Sequence, residues 1–289
     1  MENLAQILPI VLKLALLAVV FALGLNARFQ DLLWLWKHPG LLLRSLLAMD
    51  VIVPLAAVLL VLVLDLPRPV RIGLLAMAIA PGAPFVPQKQ MKLGGRLPYV
   101  YSLIVTVSLL AIVTIPLTLA LLSVFSPEHA WVAPLQVAKV VGLLLLLPLG
   151  LGLAVRQGAP GLADRLAKPL AMAANGLIAA VVLLVLIRVF PAMLRLGPLA
   201  ILAIVILTVV ALAAGHWLGG PSSEDRTALA VASATRHPGL ALLVANSNFP
   251  GEGIAAVVLA YLVFSSLASI PYTAWVKKHR PAVPAAAET

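Results

Sequence analysis

Arg236 and His237 are the side chains best able to do chemistry in an otherwise apolar stretch, the run Ala234-Thr235-Arg236-His237-Pro238-Gly239. The hydrophobic segment around them begins near Arg226 and reaches about Asn248. At 1.5 Å per residue Arg236 lies about 15 Å into that segment, half of a ~30 Å hydrocarbon core. A permanent charge, an imidazole and a Pro-Gly break are costly at that depth on a lipid-facing helix. Proline deletes a backbone donor and its ring clashes with the preceding turn, so the helix is expected to open here and free its carbonyls. Such backbone is tolerated in a membrane only where protein encloses it or it lines a watery cavity. Arg236, with Thr235 and His237 beside it, is therefore a candidate substrate-binding cation. The competing readings are an internal counter-ion, or a cation snorkelling from a helix shorter than the apolar run. His237 suits a proton relay or, as neutral imidazole, a hydrogen bond to the freed carbonyls.

A second break follows the same arithmetic. The segment that begins near Arg71 runs into Ala80-Pro81-Gly82-Ala83-Pro84-Phe85-Val86-Pro87-Gln88-Lys89, with Pro81 ten residues past Arg71 as Arg236 is ten past Arg226. Two Pro/Gly-interrupted hydrophobic segments at matching positions point to a transporter binding site. Pro81, Gly82, Pro84, Pro87, Pro238 and Gly239 are the expected helix breakers. Gln88 and Lys89, just after the first break, are candidate substrate contacts; Lys89 also reads as an ordinary cytoplasmic anchor beside Lys92 and Arg96. Asp50 is the acid placed well inside a span, ten residues past Gly40, at a depth similar to that of Arg236. It is a candidate for proton coupling or for a buried ion pair with Arg236.

The elements that must position these residues are membrane spans. The 289-residue chain is 63% hydrophobic and 10% charged with mean hydropathy +1.11, whereas soluble domains are about a quarter charged. The absence of cysteine excludes disulfides and thiolate metal sites, and the five histidines lack metal-ligand spacing. No cofactor or metal is expected, and no serine has a histidine and acid at matching depth, so enzymatic chemistry is not indicated. The net charge of +10 comes from Lys and Arg scattered in short loops, a topology signal rather than a nucleic-acid surface.

Nine spans are expected, at about 5–25, 40–64, 70–94 (broken), 97–124, 133–155, 167–190, 198–219, 226–248 (broken) and 252–276. They form one membrane domain over 1–280, followed by a disordered Pro/Ala-rich tail at 281–289. The first run reads as a span and not as a cleaved leader. With the N-terminus outside, thirteen Lys and Arg fall in cytoplasmic segments against four outside, among them Arg68 and Arg195. The positive-inside rule therefore places the N-terminus outside and the C-terminus in the cytoplasm. Spans two to four and seven to nine then form an inverted repeat around the two breaks, leaving spans one, five and six as a panel. Lys13 and Lys139 snorkel or line that panel. Gly94-Gly95 and Gly150-x-Gly152 have no strand context for nucleotide binding.

On these residues the chain resembles the bile acid:sodium symporter family. Met49-Asp50-Val51-Ile52-Val53-Pro54-Leu55 is similar to that family's Gln-Phe-Leu-Val-Met-Pro-Leu, identical in Pro54-Leu55. Pro81-Gly82 matches the opening of its Pro-Gly-Gly-Thr-Ala-Ser-Asn, and Gly239-Leu240-Ala241 the end of its Glu-Val-Gly-Met-Gln-Asn-Ser-Gly-Leu-Ala. The resemblance implies a core domain with two crossed, unwound helices beside a panel, and transport of small organic anions. It also implies that the family's sodium ligands are replaced. Thr-Ala-Ser-Asn falls on Pro84-Phe85-Val86-Pro87, the sodium-binding Glu on or near Ala232, the Gln on Arg236 and the Asn on His237. Sodium needs oxygen ligands, and a guanidinium donates only and repels it.

The expected architecture is thus an all-α integral membrane protein in the plasma membrane. Its expected function is secondary transport of a small organic anion by alternating access, coupled to protons or to nothing. The second reading is a non-transporting sensor or scaffold with the same fold. Lipid is the expected surround, nucleic acid is not a partner, and oligomeric state is left open.

Overall fold

The computed structural model describes residues 2–125 and 132–279. The tail at 281–289 and both chain ends lie outside the described residues. Everything described is helix or connection, apart from one isolated β-bridge. The helices are α1 (Glu2–Asn26), a short α2 (Phe29–Leu32), α3 (Pro39–Leu46), α4 (Val53–Val63), α5 (Arg68–Ile79), α6 (Val86–Lys92), α7 (Leu97–Phe125), α8 (Pro134–Val141) and α9 (Leu147–Gly158). Then come α10 (Pro160–Leu194), α11 (Pro198–Leu218), α12 (Ser223–Ala234), α13 (Pro238–Asn248), α14 (Ile254–Ala268) and α15 (Ile270–His279).

Among the described residues five helical stretches are long and apolar enough to cross a bilayer: Pro39–Val63, Leu97–Leu122, Pro134–Gly158, Pro198–Leu218 and Ile254–His279. Lys13–Asn26 is a shorter apolar helix. Two spans contain a widened π turn, Leu47–Ile52 between α3 and α4 and Gly142–Leu146 between α8 and α9. Each is followed within two residues by a proline, Pro54 or Pro148. A proline ring clashes with the carbonyl four residues back, and a π turn opens the backbone there. α10 outruns the 167–190 expected of it because Pro160 supplies a first turn and the helix continues through Pro169 and Pro191.

Packing sorts the helices into two groups. α1 lies along α9 and α10; α5 packs on α13 and α14, and α11 on α12 and α14. The α1–α9 contact is set by glycine: a Cβ on Gly24 would strike the Leu149 carbonyl oxygen, and one on Gly152 the Phe21 carbonyl oxygen. Gly152 therefore serves close helix approach, as small residues do between membrane helices. Against α12, Gly215 of α11 meets the Ala230 backbone with equal closeness. The second group positions the two helix breaks.

Candidate functional site

α5 ends at Ile79, and Ala80 turns to an extended conformation (φ −68°, ψ 144°) before α6 starts at Val86. α12 ends at Ala234, and Thr235 (φ −108°, ψ 100°) and His237 (φ −80°, ψ 101°) are extended before α13 starts at Pro238. The two breaks pair as a minimal antiparallel bridge between Gly82 and Arg236. The Ala83 N–H donates to the Thr235 carbonyl at 3.2 Å, and the His237 N–H to the Pro81 carbonyl at 2.8 Å. Backbone groups stranded by one break are thus satisfied by the other, as an apolar interior demands.

The breaks are tighter than the sequence suggests. Pro87 lies in the first turn of α6, and Pro238 and Gly239 open α13. Proline's fixed φ and missing N–H suit the first helical turn, so these residues restart helices instead of unwinding them. Pro81, Gly82 and Pro84 lie in the unwound stretch itself.

Arg236 is fully buried, 0% exposed. Its Nη1 donates to the Ala80 carbonyl at 3.1 Å and its Nη2 to the Met49 carbonyl at 2.8 Å, while Nε has no partner among the described residues. It joins its own break to the other break and to the π turn of the second span. In this conformation both Nη atoms are engaged by protein carbonyls. The direct ion pair expected with Asp50 is not made. The Asp50 carboxylate is within electrostatic reach of the guanidinium, but its Oδ2 has no hydrogen-bond partner among the described residues. Carbonyls took the fork because the π turn and Pro54 leave Met49 short of a donor, and a hydrogen-bonded carbonyl adds no charge to desolvate.

His237 is 7% exposed, and its Nδ1 accepts the Leu240 N–H at 3.2 Å, capping α13. That bond needs a neutral imidazole and commits His237 to the helix end. Thr235 enters the site through its carbonyl. Gln88 faces the other helix group, its Oε1 accepting from Asn175 Nδ2 of α10. Asn175 also donates to the Ala171 carbonyl at 2.6 Å. Lys89 is half-buried, and its side chain makes no hydrogen bond or ion pair among the described residues. The fold therefore brings Asp50, Pro81, Gly82, Arg236 and His237 to one crossing and sends Gln88 to the opposite helix group.

Several polar residues escaped sequence reasoning. Tyr261 of α14, fully buried, donates from its hydroxyl to the Ala234 carbonyl at 3.2 Å. Gln90 is 1% exposed and donates to the Ala228 carbonyl at 2.6 Å, holding α6 to α12. Arg68 lies 3.5 Å from Glu252, and Arg96 lies 3.4 Å from Asp225 and 3.7 Å from Glu224, so an ion pair closes each end of the crossed helices. A polar residue midway along an apolar helix was the readable signal for Tyr261; the charges at segment ends looked like topology markers alone.

The family model described as "Sodium Bile acid symporter family" matches residues 13–216, well over half of the chain. The chain belongs to the sodium bile acid symporter family. It is a multi-pass, all-helical membrane protein of a transporter family, with a small-molecule substrate and a bilayer as its setting. The match contains the first break and Asp50 and stops before Arg236. No curated protein matches the chain significantly.

Proposed function

We propose that this family member is a secondary transporter of a small organic anion, working by alternating access without sodium coupling, either with protons or as a uniporter. The observation that carries this reading is the buried guanidinium of Arg236 at the crossing of the two helix breaks. A fixed cation bound to carbonyls there repels a mobile one. Its field also favours an anion nearby without a direct contact to the substrate. Lys89, half-buried and with its side chain free of protein partners among the described residues, supplies the charge that meets the anion. Gln88 and Thr235 supply polar contacts, and the Gln88–Asn175 contact marks the seam between the core (α3–α7 and α11–α15) and the panel (α1 and α8–α10). In this reading the chain makes nine plasma-membrane spans related by an inverted repeat, with its N-terminus outside. Asp50 is the group available to carry a proton, since His237 Nδ1 is engaged in capping α13.

Uptake into proteoliposomes tests the proposal, with a sodium gradient, a proton gradient, or neither, across a panel of organic anions. Uptake that is unchanged by sodium supports it. Strict sodium dependence refutes the coupling, and no uptake of any anion favours the sensor or scaffold reading.

A further inference from the structure

Three carbonyls at the crossing, two within helical turns and that of Ala80 just past the end of α5, cannot be served by their own helix. In a helix each C=O accepts from the N–H four residues on, or five in a π turn. For Ala80 that residue is Pro84, and for Ala234 it is Pro238. For Met49, within the π turn, it is Pro54, because the Val53 N–H is already given to the Ala48 carbonyl. None of these prolines has a donor, and a buried unpaired carbonyl is costly in an apolar interior. Side chains serve all three: Arg236 Nη1 on Ala80, Arg236 Nη2 on Met49, and Tyr261 Oη on Ala234.

We propose that the crossing is a cation cradle whose resident cation is the guanidinium of Arg236. Its acceptors are the Ala80 and Met49 carbonyls. A planar fork reaches two carbonyls on separate elements at once, which a compact ammonium does not do with comparable geometry. The π turn, the first break and the second break are thus fastened by one side chain. The crossing stays assembled whatever ions surround the protein. The cradle holds the crossing together whether or not the chain carries an anion, so stability and not transport reports on it.

An emptied cradle should accept a free cation. Arg236→Ala and Arg236→Gln are purified in detergent and their Tm is measured with guanidinium, sodium or choline chloride at equal, sub-denaturing concentration. Each variant should melt about 6–20 °C below the natural protein. Guanidinium should raise the variant Tm by about 3–6 °C when present at about ten times its Kd, and should not raise that of the natural protein. A rise with sodium as well would also support a cation cradle, since the same oxygens would be its ligands. The Gln variant retains one amide donor and keeps the test open if the Ala variant does not fold. No response to guanidinium in a folded variant overturns the proposal. So does an equal rise with choline, or an equal rise in the natural protein.

Discussion

Tyr261 and Tyr101 are both fully buried tyrosines on membrane helices, yet the same substitution should act on them in opposite directions. Tyr261→Phe removes the hydroxyl that donates to the Ala234 carbonyl at 3.2 Å. That carbonyl ends α12, and the residue four further on is Pro238, so the backbone has no donor to replace it. Leaving a buried acceptor unpaired costs about 1–3 kcal/mol. A 3.2 Å O–H···O distance is long against the usual ~2.7–2.8 Å, which puts the cost near the lower end, about 1–1.5 kcal/mol. For a chain of this size that lowers Tm by roughly 2–6 °C. The Tyr101 hydroxyl is buried without a partner among the described residues, so Tyr101→Phe deletes an unpaired polar group and should leave Tm unchanged or raise it by up to about 3 °C. Thermal unfolding of the two purified variants in detergent, side by side with the natural protein, reads both signs. If Tyr261→Phe melts with the natural protein, or the two variants fall equally, side-chain service of the stranded carbonyls is refuted.

In this cysteine-free chain, an impermeant thiol reagent should label Lys37→Cys only from the cytoplasm and Arg195→Cys only from outside; the reverse pattern would invert the orientation. Gly24→Val should destabilise by about 1–3 kcal/mol or more, because the added carbons meet the Leu149 carbonyl oxygen, and the loss would be read as a lower Tm with α1 displaced from α9. Asn175→Ala should change uptake KM or maximal rate while shifting Tm by no more than about 2 °C, since the Gln88–Asn175 contact lies at the seam and is only part-buried; equal harm to folding would make it a structural bond. Glu252→Gln should cost less than Asp225→Asn in the same melting assay, because the side chains are 28% and 7% exposed respectively and exposed ion pairs contribute little.

The sequence by itself determined the membrane class and the location of both helix breaks. Hydropathy and proline act locally: a run of apolar residues must span, and a residue without an N–H must interrupt its own helix wherever that helix goes. It also determined that Arg236 sits too deep to be a surface charge, because helix rise converts residue number into depth. Which partner that charge takes was decided only by the tertiary structure. Asp50 has the right charge and depth, but hydrogen bonding depends on which acceptors are left unfilled, and those were created by Pro54 and Pro84 in other segments. The same holds for Pro87 and Pro238, which as single residues look like breakers. They turned out to restart helices, because the paired bridge between Gly82 and Arg236 fixes where the extended backbone ends. Tyr261, Asn175 and the acids Asp225 and Glu252 acquired roles only once distant segments were packed against them. Hydrogen bonds and ion pairs act over a few ångströms across separations of tens to hundreds of residues, and no local pattern in the chain encodes that distance.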